Sequence, residues 1–425
     1  MNLAIARLII GVIAFLMVAL SLYPLHLVNF YLIVRPLVQP FAYSHYTFLA
    51  GIPIAGVLAV LLIAIGFCHA VFRKESALLI PNVIPLYVLT FFSSLSFINT
   101  MDYATSISHV LKILTGIAVY LLVYNSITSK EDGKKVLYAI VIAAIIPMLF
   151  GYYQYLTATG HAWKEREYMI GTRIDSVFGE FNAYGIFLCL GICATMMLFL
   201  QEQGKLRKWL FVGLMSSMVV SLFLSLNRGS WIAFSFALLV GFIFYRKKVK
   251  ARWFIIAGIS ISIFFSATII QRFQELNVRT PWGTTKDTFS GRIEHWKEII
   301  PLSGKHPVVG YGIGTASLVT LKYFGNEQVP HNDYLRIAFE VGIPAALLYV
   351  FFLLRELAAN IKRTFDERNW FVNFPMLVAI TYFCVISLTQ NIVYNVVNFP
   401  LLLTLMGVSR KWNMLDNYQI VVSKG

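Results

Sequence analysis

The sequence predicts an all-α integral membrane protein of about twelve transmembrane helices, with one long outer-face loop containing short amphipathic helices. Three observations carry that prediction. Of 425 residues, 58% are hydrophobic and only 13% charged, where a soluble domain carries about a quarter charged residues. Mean hydropathy is +0.71 and nearly uniform along the chain. Apolar stretches close to the roughly 20 residues that a membrane helix needs recur throughout, and one segment, 271–336, interrupts them. The organisation expected is therefore a single polytopic domain over 1–425, with 271–336 inserted between its helices as an outer-face loop.

The expected spans lie at 8–23, 47–69, 77–98, 104–125, 136–157, 183–200, 209–226, 230–245, 253–271, 337–355, 371–390 and 393–409. The first follows Arg7 and lacks a small-x-small cleavage site before Tyr23-Pro24, which suits an uncleaved helix. Residues 24–40 carry three prolines and Arg35, and suit an interfacial or re-entrant piece better than a span. The four cysteines, Cys68, Cys189, Cys193 and Cys384, fall in or beside spans, so no disulfide framework or zinc cluster is expected.

The net charge of +15 could suggest nucleic acid, but its distribution opposes that. Most Lys and Arg fall in one alternate set of short connections, including Arg73-Lys74, Lys130 to Lys135, Lys205 to Lys208, Arg246 to Arg252 and Arg355 to Arg368. By the positive-inside rule that side, with both termini, is cytoplasmic. The loops 158–182, 227–229 and 271–336 then face outward, where neither ATP nor nucleotide sugars are at hand.

Chemistry is expected at those loops. Arg228, in Leu226-Asn227-Arg228-Gly229-Ser230, sits at the edge of hydrocarbon, where an arginine must snorkel or find an anion. Arg292 opens Gly291-Arg292-Ile293-Glu294-His295-Trp296, whose apolar spacing reads as an amphipathic helix. Arg292 and Trp296 share a face of it, and guanidinium suits bidentate phosphate recognition. In Gly310-Tyr311-Gly312-Ile313-Gly314 the glycines suit a tight turn and close packing or, as the weaker alternative, backbone amides lining an anion site, with no dinucleotide unit around them. His331 precedes Asn332 and Asp333, either of which can cap the following helix. That position favours a neutral imidazole, which can take a proton from a hydroxyl. Lys164, Arg166 and Arg173 form a basic rim that is either solvated surface or a site for an acidic glycan or diphosphate. The histidines lack metal-ligand spacing, and no metal and no cofactor are expected.

These residues, in this order, resemble the O-antigen ligase and O-antigen polymerase superfamily of bacterial membrane glycan transferases. The resemblance covers about 170 to 345. His331-Asn332, nine residues and Gly342 fit the ligase pattern, and Asn227-Arg228-Gly229 is similar to the family's Ser-Arg-Gly turn. Gly291-Arg292 with Trp296, and His306-Pro307-Val308-Val309-Gly310-Tyr311-Gly312, are similar to its run-up. The resemblance implies transfer of a glycan from undecaprenyl diphosphate to a sugar hydroxyl of lipid A-core in lipopolysaccharide assembly, or to a growing glycan chain in the polymerase case. The reaction would invert the anomeric carbon without metal or nucleotide, on the periplasmic face of the inner membrane. By carry-over Arg228 and Arg292 hold the diphosphate and His331 activates the acceptor. Arg173, Arg166, Trp296, Asn332 and Tyr334 are the accompanying candidates for substrate binding. The chain departs from the ligase pattern at Ala345 and from the polymerase arginine-to-glycine spacing after Arg173 and Arg292. A lipid-linked-glycan flippase is the competing class, but it should carry ionisable residues at mid-membrane, where Lys112 is the clearest case.

Overall fold

The fold is described from a computed structural model, over residues 3–42, 54–72, 78–160, 173–249 and 289–424 together with the single positions 266 and 270. Fifteen α-helices order these residues: α1 Leu3–Ala19, α2 Pro24–Leu37, α3 Ile54–Phe72, α4 Ile84–Leu95, α5 Tyr103–Ser126, α6 Lys130–Thr157, α7 Phe181–Gln201, α8 Lys205–Leu224, α9 Arg228–Tyr245, α10 Phe289–Ser303, α11 Ala316–Phe324, α12 Asp333–Glu340, α13 Ile343–Arg363, α14 Trp370–Ile386 and α15 Asn398–Lys424. No β-strand occurs among the described residues. The predicted span 253–271 apart from positions 266 and 270, the start of 47–69, Arg166, and the stretch 271–288 of the long loop lie outside the described residues, as does the middle of the 158–182 loop.

Among the described residues six helices, α5 to α9 and α13, are long and apolar enough to cross a membrane. Their outward faces are themselves apolar. On α13, Leu347, Phe351 and Leu354 recur at helical spacing and all stay more than half exposed, a stripe that water would oppose and lipid would accept. α7 is the central helix, with 89% of its apolar window buried, whereas α8 at 22% stands at the rim. Close pairs are α3 with α5, α5 with α15, α7 with α8, and α9 with α14.

Local chemistry sets the helix starts. Asp102 caps α5 by accepting the amides of Ala104 and Thr105, and Ser129 with Asp132 forms a capping box on α6. Residues 24–37, read as re-entrant or interfacial, form the 14-residue helix α2. At about 1.5 Å per residue it is too short for the bilayer core. It packs on α6 and α5 with Tyr31, Leu32 and Arg35 buried.

Three boundaries that shape the site differ from the sequence reading. The predicted span 337–355 is two helices, because Gly342 (φ +114°) breaks the chain between α12 and α13. A Cβ there would lie 2.1 Å from the Val308 carbonyl oxygen. The predicted spans 371–390 and 393–409 shorten to Ile386 and restart at Asn398. Residues 387–397 between them form a run of turns, ended where the Asn395 side chain accepts the amides of Val397 and Asn398.

The connections sort to two ends. Residues 96–102, 173–180, 225–227, 289–342 and 387–397 gather as a cap, as the bonds of Asn99 Nδ2 to Gly310 O (2.8 Å) and Ile174 N to Leu224 O (3.4 Å) show. α10, α11 and α12 enclose a small apolar core of their own, with Ile299, Leu302, Tyr311, Val319 and Phe339. Towards the other end, Glu356 of α13 is fully buried and binds Arg410 of α15, Asn360 and Asn82. Removing one member of a buried ion pair costs about 3–5 kcal/mol, because the remaining charge has no substitute for water. Glu356→Ala is therefore expected to lower the melting temperature in detergent strongly, and a melting curve equal to wild type would contradict that role.

Candidate functional site

The cap brings the segments that carry Arg228, Arg292 and His331 to the 387–397 turn. Arg228 is the first residue of α9, half-buried, and follows the N-cap Asn227, whose Oδ1 accepts the Ser230 amide (3.1 Å). Leu226 just before it takes φ +53°, a conformation uncommon outside glycine. Arg173 holds it there by donating Nη2 to the Leu226 carbonyl (3.1 Å), while its guanidinium lies 3.9 Å from the centre of the Phe181 ring. Buried at 7% exposure, Arg173 supports the turn from behind. Ser225, Asn227 and Ser230, the polar residues around Arg228, bond to protein groups: Leu222 O, the Ser230 amide and the Tyr382 hydroxyl.

Arg292, on α10, donates Nη1 to the Thr389 carbonyl at 2.7 Å. Thr389 also meets the Arg228 turn: a Cβ on Gly229 would stand 3.5 Å from Thr389 Oγ1. The two arginine-bearing segments thus meet on one residue, from helices about sixty residues apart in sequence. Trp296, one turn after Arg292, is half-buried beside it on the helix.

His331 sits half-buried immediately before the cap of α12. Asn332 is the residue that caps, its Oδ1 accepting the Leu335 amide at 3.0 Å. Asp333 does something else. It is fully buried, its amide donates to Ser387 O (2.8 Å), and its carboxylate accepts the amides of Ile392 (2.9 Å) and Val393 and the Ser387 hydroxyl (3.1 Å). Tyr334 turns its hydroxyl to Cys384 O (2.8 Å) and its ring to Tyr349. The helix start that carries His331 is therefore fastened to the turn that receives Arg292.

Burial pushes the Asp333 carboxyl up to about 7, outweighing the pull of the Ile392 and Val393 amides towards the ionised form. A native carboxyl with a raised value binds more protons than the unfolded chain between 3.8 and about 7. It therefore takes stability away as pH rises through that window. Asp333→Asn is expected to flatten the fall of melting temperature between those pH values relative to wild type. An unchanged pH slope would show that the group titrates elsewhere.

The glycine run threads between helices, as expected from close packing. Gly310, Gly312 and Gly314 all have positive φ, and added Cβ atoms would strike the Glu340 backbone, Thr100 and the His109 ring within 2.6 Å. The run thereby joins α12 to the start of α5.

Residues 213–350 match the O-antigen ligase family model. This stretch, about a third of the chain, supports the O-antigen ligase and polymerase superfamily that the motifs resemble. Members of this family are membrane glycosyltransferase-like enzymes acting on O-antigen. The match contains Arg228, Arg292 and His331, and stops before the 387–397 turn that their segments pack against. No curated protein matches the chain.

Sequence reasoning missed Thr389, Asp333 as a clamp, and the whole 387–397 turn. The available signal was Thr389-Gln390-Asn391 and Asn395, polar residues set between two apolar runs.

Proposed function

We propose that the protein transfers a glycan from an undecaprenyl-diphosphate donor to a sugar hydroxyl, in the manner of an O-antigen ligase with lipid A-core as acceptor. The observation that carries the reading is the meeting of the Arg228 turn and Arg292 at Thr389, with the His331 helix fastened to the same turn. Two arginine-bearing segments packed on one residue suit a diphosphate, whose charge grows as it leaves. The half-buried His331, on a helix start fastened to the same turn, suits the proton of an incoming hydroxyl.

In this mechanism His331 takes the hydroxyl proton as the acceptor oxygen attacks the anomeric carbon. The bond from that carbon to the phosphate oxygen breaks with its electron pair. Undecaprenyl diphosphate departs between Arg228 and Arg292, and the anomeric configuration inverts. The driving force is the donor's phosphate bond, so nucleotide and metal have no part in the scheme. By carry-over from the family, Arg166, Trp296, Asn332 and Tyr334 remain the candidates for sugar binding, while Arg173 serves the site by holding the Leu226 turn.

The same reading puts the cap on the periplasmic side of the inner membrane. It also gives the chain about twelve spans with both termini cytoplasmic. The basic residues Lys130, Lys134, Lys135, Lys205 and Lys208 lie at the connections away from the cap, which supports that orientation.

The test uses purified protein in liposomes with undecaprenyl-diphosphate glycan, in EDTA, with lipid A-core present or absent. Glycosylated lipid A-core formed only with acceptor supports the ligase. Lengthening of the undecaprenyl-linked chain without acceptor assigns the polymerase branch. Neither product from folded protein would overturn the transferase.

A further inference from the structure

A second group of cations lies on the other side of the 387–397 turn and takes no part in the transfer scheme. On α5, the positions of Thr105, His109, Lys112 and Gly116 follow helical spacing along one face. That face points inward: a Cβ on Gly116 would stand 3.0 Å from the Phe399 ring of α15, and the His109 ring lies 5.1 Å from that of Tyr394. His109 Nδ1 lies 2.9 Å from the Thr105 carbonyl, so that nitrogen carries the proton and Nε2 is left as an acceptor. Arg336 of α12 reaches it with Nη2 at 3.4 Å, and its guanidinium lies 4.7 Å from the Tyr394 ring centre.

Lys112 is one turn deeper, nine residues into an apolar span, or about 14 Å along the helix. It makes no hydrogen bond to a described residue, although its inward position leaves it half-buried rather than closed off. The charges it feels most are Arg336 and Arg35, of its own sign, and Glu340. Glu340 is already engaged. Its Oε1 takes Arg336 Nε (3.0 Å) and the Ala316 amide, and its Oε2 takes the Gly314 amide. Lys112, Arg336 and Arg35 therefore share one committed carboxylate, and Lys112 does so from within a span, where ionisable groups are ordinarily paired or aimed at a substrate.

We infer that Lys112, Arg336 and His109 form a second anion subsite, separate from the Arg228–Arg292 pair, that takes a phosphate or carboxylate group. Lys112 and the free edge of Arg336 supply the charge, and Arg336 is held in place by Glu340, His109 and the Tyr394 ring. Two sources present that chemistry at a membrane: an acidic or phosphorylated sugar, and the headgroup of an acidic phospholipid. Binding here does not depend on the transfer reaction, so the subsite stands or falls by itself.

The test measures melting temperature against probe concentration for wild-type, Lys112→Met, Lys112→Arg and Arg292→Ala proteins in neutral-lipid nanodiscs. The probes are glucose 1-phosphate and glucuronate, with glucose as the uncharged control. A parallel set in nanodiscs containing phosphatidylglycerol reads the lipid source. A saturable rise with a charged probe, or with phosphatidylglycerol, that persists in Arg292→Ala is expected. Lys112→Met should weaken it about tenfold or more, the loss of one charge-assisted contact, and Lys112→Arg should restore most of it. Without probe, Lys112→Met should melt at or above wild type, because it removes a cation facing cations. The inference is overturned if no charged probe or lipid shifts wild type, or if Lys112→Met binds as wild type does. It is equally overturned if the probe-free Lys112→Met protein melts well below wild type while Lys112→Arg does not, which would make Lys112 the structural partner of Glu340.

Discussion

Arg292→Ala is expected to lower glycan transfer about a hundred- to a thousandfold, the scale seen when one preorganised donor to developing charge is removed. The reason is geometric. Arg292 Nη1 is fixed on the Thr389 carbonyl at 2.7 Å, so the guanidinium is held in position before a donor arrives. Charge alone should not suffice: Arg292→Lys keeps the cation but loses the planar fork that can bind Thr389 and a phosphate together. The loss should fall mainly on kcat, because the leaving diphosphate gains charge only as the bond breaks. Transfer by Arg292→Ala within a fewfold of wild type, from protein with an unchanged melting curve, would remove the arginine from the mechanism.

His331→Ala should cost about a hundred- to ten-thousandfold, the range for a positioned general base. Its placement differs from that of the arginines. His331 precedes the Asn332 cap, and its neighbour Asp333 is locked by Ser387, Ile392 and Val393. The backbone around the imidazole is therefore fixed by buried bonds that the substitution leaves intact. Folding should survive, and the donor should still bind. Retention of donor binding with loss of transfer is the expected signature. A His331→Ala protein that transfers normally would mean that the acceptor hydroxyl needs no base from this residue.

The helical membrane class was legible because it rests on composition, and composition is additive along a chain. The spans α5 to α9 were legible for the same reason, each being a long apolar run between charged connections. The candidate site was legible in part. Arg228, Arg292 and His331 stand out because charged or titratable residues are costly at a membrane edge. Their assembly was not legible. Thr389 offers a backbone carbonyl, which any residue carries, so no residue type could announce the contact with Arg292. Asp333 read as one of two possible caps, since sequence cannot tell a capping side chain from one that reaches across to Ile392 and Val393. The break at 387–397 was hidden by Ile392, Val393, Val396 and Val397, whose hydropathy continues that of the neighbouring helices. The division at Gly342 was hidden likewise: its φ of +114° is dictated by the Val308 carbonyl it packs against, a contact made by the fold alone.

The decisive measurement is the release of undecaprenyl diphosphate from a radiolabelled lipid-linked glycan, in EDTA, by wild type and by the Arg292→Ala, His331→Ala double variant. Wild type should release one undecaprenyl diphosphate for each glycan joined to an acceptor hydroxyl, and the folded double variant should release none above background. Release by the double variant at a rate near wild type would contradict catalysis at the turn where these segments meet.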